Sequence, residues 1–208
     1  MRFEEFCGYL LRLEKTSKRL EMIDILSEVF SKVRNDEINY AVNFIQEQLL
    51  PPFYNIQLGI ADKMAEKAIA LAYNMPVSKI LAEYKRVGDL GEVVAKESNV
   101  SKTSGVNITD VYSKLLKIAK ISGEGSTDEK IKELSGLIAE ISATEAKFIL
   151  RFVMGRLRLG VGEATIMEAL AKARTGNRKL KVDIERAFNL CSDLGYVADV
   201  LYSKGEEG

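Results

Sequence analysis

The chain has 208 residues, of which 47% are hydrophobic and 29% charged, and its 30 basic residues balance 30 acidic ones. This composition excludes intrinsic disorder and provides for one substantial core or two small lobes. Because there is no histidine and there are only two cysteines, zinc fingers, zinc ribbons and histidine-based acid–base catalysis are excluded as well.

The first half of the chain has the apolar spacing of amphipathic helices. Apolar residues at 3, 6, 10 and 13 predict one helix, and those at 23, 26, 29, 30 and 33 predict a second, which Thr16 and Ser17 would cap. A third helix opens at Asn35 and must stop before Pro51. Three further helices are predicted over residues 59–72, 78–84 and 89–97.

The second half has clearer helix starts. A helix beginning at Thr109 or Asp110 is followed by two predicted capping boxes, in which Ser126 pairs with Glu129 and Ser142 with Glu145. These open helices over about 126–141 and 142–153, and three more are predicted over 163–172, 183–190 and 194–202. No hairpin signal is present. The sequence therefore predicts an all-α fold, a compact bundle of about ten to twelve short helices.

Two stretches are alike. Residues 89–91 and 193–195 both read Asp-Leu-Gly, and each is followed by Val and Ala on a helical face. One interpretation is an internally duplicated, pseudo-symmetric domain, and the other is that Asp-Leu-Gly is a common way to open a helix.

Residues 155–162 carry the most informative motif, in which two arginines lie two positions apart and glycines frame them. Positions i and i+2 point the same way only in extended backbone, and glycine lets that backbone approach a partner closely. We therefore predict a short basic finger with exposed N–H groups, leading into a helix that begins near Glu163. Such a segment suits phosphates and a nucleic-acid groove. The motif reads Gly155-Arg156-Leu157-Arg158-Leu159-Gly160-Val161-Gly162.

The positive charge is concentrated around this finger. Residues 1–146 contain 19 basic and 22 acidic side chains, residues 147–181 contain nine and two, and residues 182–208 contain two and six. A local field of this kind steers a polyanion even when the whole chain is neutral. The alternative is a chance cluster on a solvated face.

Further glycine-containing turns precede helices at 88–91, 123–126 and 193–195, and a polar loop at 98–104 suits phosphate contact. The alternative for each turn is that its glycines only end one helix and allow the next to begin. Catalytic motifs are missing, since residues 181–184 lack the glycine of a Lys-x-Asp-Gly nucleophile motif. We predict no catalytic, cofactor-binding or metal-binding residue. Cys7 and Cys191 are predicted to be buried, inert thiols of a chain with neither a signal peptide nor a membrane span.

The chain resembles the N-terminal DNA-binding domain of archaeal and eukaryotic-type ATP-dependent DNA ligases. The likeness covers essentially the whole chain, and its most specific part is residues 155–164. The other stretches that carry it are residues 88–95, 111–119, 127–134 and 145–149.

This resemblance implies an all-helical, pseudo-twofold domain over 1–202 that lies across the minor groove of nicked duplex DNA, followed by the start of a linker at 203–208. It also implies a full-length enzyme acting in replication and repair, with ATP and Mg²⁺, and located in the cytoplasm at the nucleoid. Its partners would be nicked duplex DNA, the catalytic core of the same polypeptide and a sliding clamp. The implied DNA-binding residues are Gly88, Gly91, Ser98, Ser101, Lys102, Thr103, Gly155, Arg156, Arg158, Gly160 and Gly162.

A complete ligase of this family continues into an adenylation domain and an OB-fold domain, which are not found in these 208 residues. We therefore expect an isolated or truncated domain that binds DNA but does not seal nicks. The alternative function, from a different class, is a helical protein-interaction module whose basic patch meets an acidic partner.

Overall fold

The computed structural model describes residues 1–98 and 105–205. Within these ranges the fold is all-α, as predicted, with twelve α-helices, two 3-10 turns and no strand beyond one isolated bridge between Arg2 and Asn107. The helices are α1 (Phe3–Glu14), α2 (Arg19–Lys32), α3 (Ile38–Ile45), α4 (Asp62–Ala72), α5 (Val77–Val87), α6 (Leu90–Glu97), α7 (Ile108–Lys120), α8 (Ser126–Ala139), α9 (Ala143–Val153), α10 (Glu163–Thr175), α11 (Lys181–Cys191) and α12 (Leu194–Lys204). None of the helices in these ranges is long and apolar enough to cross a membrane.

The chain divides into two compact units. Unit 1 comprises Met1, Gly8–Asn55 and the chain from Arg158 onward, and unit 2 comprises Arg2–Cys7 and Ile56–Leu157. In unit 1 the main packing pairs are α2 with α10 and α3 with α12, and in unit 2 they are α6 with α9 and α4 with α8. Each unit thus buries its apolar helix faces around a core of its own.

Two predicted N-cap residues are wrong. Thr16 and Ser17 do not cap α2, whose N-cap is Lys18 without a side-chain cap. Ser126 is not an N-cap either, because α8 begins directly after Gly125 in the left-handed conformation (φ 77°). The second predicted capping box is confirmed: the Glu145 carboxylate accepts from the Ser142 N–H at 2.8 Å, and the Ser142 hydroxyl accepts from the Glu145 N–H at 3.4 Å.

The two Asp-Leu-Gly turns are built alike, each within its own unit. Asp89 caps α6 by accepting from the Gly91 N–H at 2.8 Å, and Asp193 caps α12 by accepting from the Tyr196 N–H at 2.9 Å. Both glycines are buried. A side chain at Gly195 would meet the Asn43 side chain of α3 at 2.6 Å. This shared arrangement supports the duplication interpretation, while a duplication of the whole domain stays a prediction.

The two cysteines differ in exposure. Cys7 is fully buried, and this burial, together with the charge of Glu145, raises its pKa. Cys191 is only partly buried, so the prediction of a second buried thiol is wrong. Both cysteines are free thiols.

Candidate nucleic-acid interface

The finger, residues 155–162, begins where α9 ends in a Schellman motif. Gly155 adopts the left-handed conformation (φ 61°) that closes such a helix end. Its N–H donates to the Phe152 carbonyl at 3.0 Å, and the Arg156 N–H donates to the Arg151 carbonyl at 2.8 Å. These two N–H groups, which we expected to be exposed for a partner, are therefore occupied by the helix cap.

Beyond this cap, the side chains of the finger alternate in exposure. Arg156 and Arg158 are exposed, whereas Leu157 and Leu159 are buried. The segment between the two helices is therefore non-helical, as predicted, and the structure adds that its two leucines are buried. Arg158 has φ 58°, which an L-residue adopts at a cost of about 1–3 kcal/mol. Four other non-glycine residues among those described share this conformation, so it does not by itself mark a functional site.

The last part of the finger, in unit 1, leads into α10. Gly160 is exposed with φ 66°, and Gly162 is the exposed N-cap of a helix that begins at Glu163, as predicted. Since glycine has no side chain, no side-chain oxygen caps the first N–H groups of α10. A helix start of this kind favours anions through its N–H groups and its dipole.

In unit 2, Arg156 is held by a chain of hydrogen bonds. Its guanidinium donates to the Tyr84 hydroxyl at 3.0 Å, and that hydroxyl donates to the Asp62 carboxylate at 2.9 Å. The hydrogen bond to Tyr84, and after it the charge of Asp62 at 3.9 Å, raise the pKa of Arg156. The guanidinium is still about half exposed, so an anion can reach it.

The turn at 88–91 contains two glycines with different surroundings. Gly88 is exposed with φ 74° and closes α5, where its N–H donates to the Tyr84 carbonyl at 2.7 Å. Gly91 is buried, and an added Cβ would lie 2.8 Å from the Lys147 carbonyl oxygen and 2.9 Å from Arg151 Cγ. The structure thus explains Gly91 by the close packing of α6 on α9, and its N–H is taken by Asp89. Gly88 is the glycine of this turn that a partner can reach.

Arg151 has a structural role that its sequence position did not indicate, because it was predicted only as one of the nine basic side chains at 147–181. It is 5% exposed, and its guanidinium lies 2.8 Å from the Asp89 carboxylate and 3.0 Å from that of Glu92. Lys147, also buried, lies 2.8 Å from Glu92. Lys147 and Arg151, two of the nine basic residues at 147–181, are therefore paired with carboxylates inside the protein. This pairing reduces the positive charge that a partner can contact. No local sequence signal marks these pairs, since Arg151 and Asp89 lie 62 positions apart.

The other predicted contacts lie in or beside the 98–104 loop. Ser98 is half-buried at the end of α6, and its N–H donates to the Val94 carbonyl at 2.9 Å. Ser101, Lys102 and Thr103 lie outside the described residues. The structure therefore places Ser98 near solvent and leaves the role of the rest of the loop as a prediction.

The turn at 123–126 precedes α8 and is exposed around Gly123 and Gly125, both with positive φ.

Within residues 1–98 and 105–205, no group of three or more acidic or cysteine side chains converges as metal ligands would. These residues do not form a Mg²⁺ site of that kind.

Comparison with known proteins gives a consistent result. Residues 2–171 match the family described as DNA ligase N terminus. The whole chain is 43% identical to a "Probable DNA ligase" of Dictyoglomus thermophilum, of which it covers 35%, and 40% identical to a "DNA ligase" of Sulfurisphaera tokodaii, of which it covers 37%. Nearly all of it, 99%, is 39% identical to a "DNA ligase" of Nitrosopumilus maritimus, of which it covers 36%. The chain thus spans just over a third of the length of these relatives.

Proposed function

Because the chain belongs to the DNA ligase N-terminus family, we propose that it binds duplex DNA independently of sequence, as the DNA-binding domain of an ATP-dependent DNA ligase. Its preferred substrate is nicked duplex, which it contacts through the minor groove and the backbone phosphates. In the full-length enzyme it holds the DNA while a catalytic core in the same polypeptide, with ATP and Mg²⁺, seals the nick. The domain covers residues 1–202, followed by the start of a linker, and it works at the nucleoid with a sliding clamp as a further partner.

The observation that carries this proposal is the finger. Two exposed arginines alternate with two buried leucines and lead to the uncapped N-terminus of α10. Arginine neutralises phosphates or enters a narrow groove, and backbone near glycine comes close to the sugar–phosphate chain. Such contacts position a protein on DNA and carry no sequence information, so binding is sequence-independent.

The proposed contact residues differ in charge, in exposure and in the role of their backbone. Arg156 and Arg158 are charged and exposed, and Gly88, Gly155, Gly160 and Gly162 are exposed backbone positions. Ser98, Ser101, Lys102 and Thr103 belong to the polar loop predicted at 98–104, of which the structure describes only Ser98, and Lys102 adds a charge for a phosphate. Gly91 contributes by allowing α6 to pack closely on α9, which fixes the turn that contains Gly88.

A gel-shift titration of the chain on nicked and intact duplexes of two unrelated sequences tests this function. We expect saturable binding to the nicked duplex of both sequences, with the same affinity, and weaker binding at higher salt. If no duplex is bound at moderate salt and an acidic protein is bound instead, the chain is a protein-interaction module and the proposal is wrong.

A further inference from the structure

Unit 1 contains a second basic group, centred on the buried carboxylate of Glu168 in α10. This carboxylate lies 2.6 Å from the Arg19 guanidinium, 3.5 Å from the Arg178 guanidinium and 3.5 Å from the Lys181 ammonium group. One negative charge thus meets three positive ones. Because about half of the Arg19 and Arg178 side chains stays exposed, these cations are held in place and still accessible to a further anion.

The loop that joins α10 to α11 adds to this charge. Residues 168–183 contain five basic side chains against Glu168 and Asp183. Arg174 contacts the Tyr202 ring at 5.8 Å, and Lys179 is exposed. In the part of the chain that the structure describes, no acidic side chain forms an ion pair with either of these two cations. The loop therefore carries a positive field that its own carboxylates do not cancel.

Hydrogen bonds within the loop fix its shape. The Lys179 N–H donates to the Asn177 side-chain oxygen at 2.8 Å, and the Thr175 hydroxyl donates to the Ala171 carbonyl at 2.9 Å. Thr175, Asn177 and Lys179 also line a shallow groove together with Leu180 and Asp183. Polar donors beside cations in an open groove fit the phosphates of a nucleic-acid backbone better than they fit an apolar ligand.

The position of this basic group along α10 follows from helix geometry. The loop begins after the C-terminus of α10 at Thr175, whereas Glu168 lies in the middle of the helix. At about 1.5 Å per residue, Glu168 is roughly 8 Å and the start of the loop roughly 20 Å from the N-terminus of α10. The basic group therefore extends along the C-terminal half of α10, a span that a continuous duplex backbone can follow.

We propose that Arg19, Arg178, Lys179 and Lys181 form a second phosphate-contacting surface, which binds the duplex backbone along the C-terminal half of α10. This inference rests on the proposed function and extends its footprint. The committed partner is the DNA backbone, because a surface with excess positive charge on fixed side chains complements a regular polyanion. An acidic protein would be the alternative occupant, and the following test distinguishes the two.

The test compares the chain with its Arg178→Ala/Lys179→Ala variant on a duplex of about 24 base pairs. The salt slope of the variant should be shallower by roughly 0.9 log unit for each phosphate that it no longer neutralises, which corresponds to about one to two log units for two side chains. Thermal denaturation verifies that the variant is folded.

The matched control is Lys114→Ala/Lys117→Ala, which removes two exposed cations paired with Glu140 and Glu133 in unit 2. It lowers the net charge by the same amount and should leave the salt slope unchanged. If R178A/K179A binds the duplex with the affinity and salt slope of the wild type, this inference is wrong and the proposed function stands. If the wild type does not bind the duplex, both proposals fail.

Discussion

Asp89 and Arg151 form a buried ion pair at 2.8 Å that joins two predicted DNA-contacting turns of unit 2. Asp89 caps α6 within the 88–91 turn, while the backbone carbonyl of Arg151 accepts the N–H of Arg156 at the start of the finger. One residue thus ties the position of Gly88 to that of Arg156. The proposed interface in this unit therefore depends on an ion pair buried inside the protein.

Arg151→Met should lower the free energy of unfolding by about 3–5 kcal/mol, because it leaves the Asp89 carboxylate buried without its partner. Urea denaturation measures this loss. The control is Arg12→Ala, since the Arg12–Glu28 pair is about half exposed and contributes only about 0–1 kcal/mol. Equal effects of the two substitutions would show that the Asp89–Arg151 pair does not stabilise unit 2.

Gly91→Ala and Gly195→Ala should each destabilise the chain by about 1–3 kcal/mol, because the new methyl group meets α9 backbone in one case and the Asn43 amide in the other. Gly136→Ala is the matched control. Gly136 lies on the exposed side of α8, where an added Cβ would contact no other part of the protein within 4 Å. The substitution should therefore stabilise the helix by roughly 0.5–1 kcal/mol. Thermal denaturation of the three variants measures these changes in stability. A Gly91→Ala variant as stable as the wild type would contradict the packing role of Gly91.

Asp62→Asn should strengthen DNA binding by about two- to fivefold at low salt. The Asp62 carboxylate lies 3.9 Å from the Arg156 guanidinium, so it competes with a phosphate for that cation and repels the DNA. Fluorescence anisotropy with a labelled duplex measures the change, which salt should suppress. The matched control is Asp36→Asn, which changes an exposed aspartate that pairs with Arg34 in unit 1 and should leave the affinity as it was. Weaker binding by Asp62→Asn would mean that this carboxylate serves mainly to orient Arg156.

Glu168→Gln should show a pH-dependent loss of stability. Burial disfavours the charged form of Glu168, yet the hydrogen bond from Arg19 and the charges of Arg19 and Lys181 hold its pKa below the ordinary 4.5. A lowered pKa stabilises the folded state above about pH 4.5, and this contribution is lost as the pH falls through the folded-state value. We expect a difference of about 1–2 kcal/mol at pH 7 that shrinks as the pH falls from 5 to 3. A difference that stays constant over this range would indicate a packing effect.

Local signals in the sequence predicted much of the fold. The Ser142 capping box, the end of α9 near Val153 and the start of α10 were all predicted correctly, because each depends on a few neighbouring residues and their backbone preferences. Ser126 had the same pattern as Ser142 but did not cap. Gly125 adopts a left-handed conformation there, which places Ser126 inside the helix.

The contacts of the candidate site could be predicted only in part. The spacing of the two arginines and their framing glycines predicted a basic, non-helical finger, since that pattern is local, but it did not indicate that the leucines between them are buried. The contacts of Arg151 and Arg156 with residues more than 50 positions away depend on helix packing, which a single sequence does not specify. For the same reason Gly91 was predicted as a phosphate contact, whereas the structure gives it a packing role.

The salt dependence of duplex binding by Arg156→Ala/Arg158→Ala is the sharpest test of the proposed interface. If the finger contacts DNA phosphates, the double variant should bind every duplex sequence more weakly, and its slope of log affinity against log salt should flatten by roughly 0.9 for each phosphate that is no longer neutralised. Lys114→Ala/Lys117→Ala, with the same change in net charge, should keep the wild-type slope. Unchanged affinity and an unchanged slope in the finger variant would remove these two arginines from the interface and contradict the proposed mode of DNA binding.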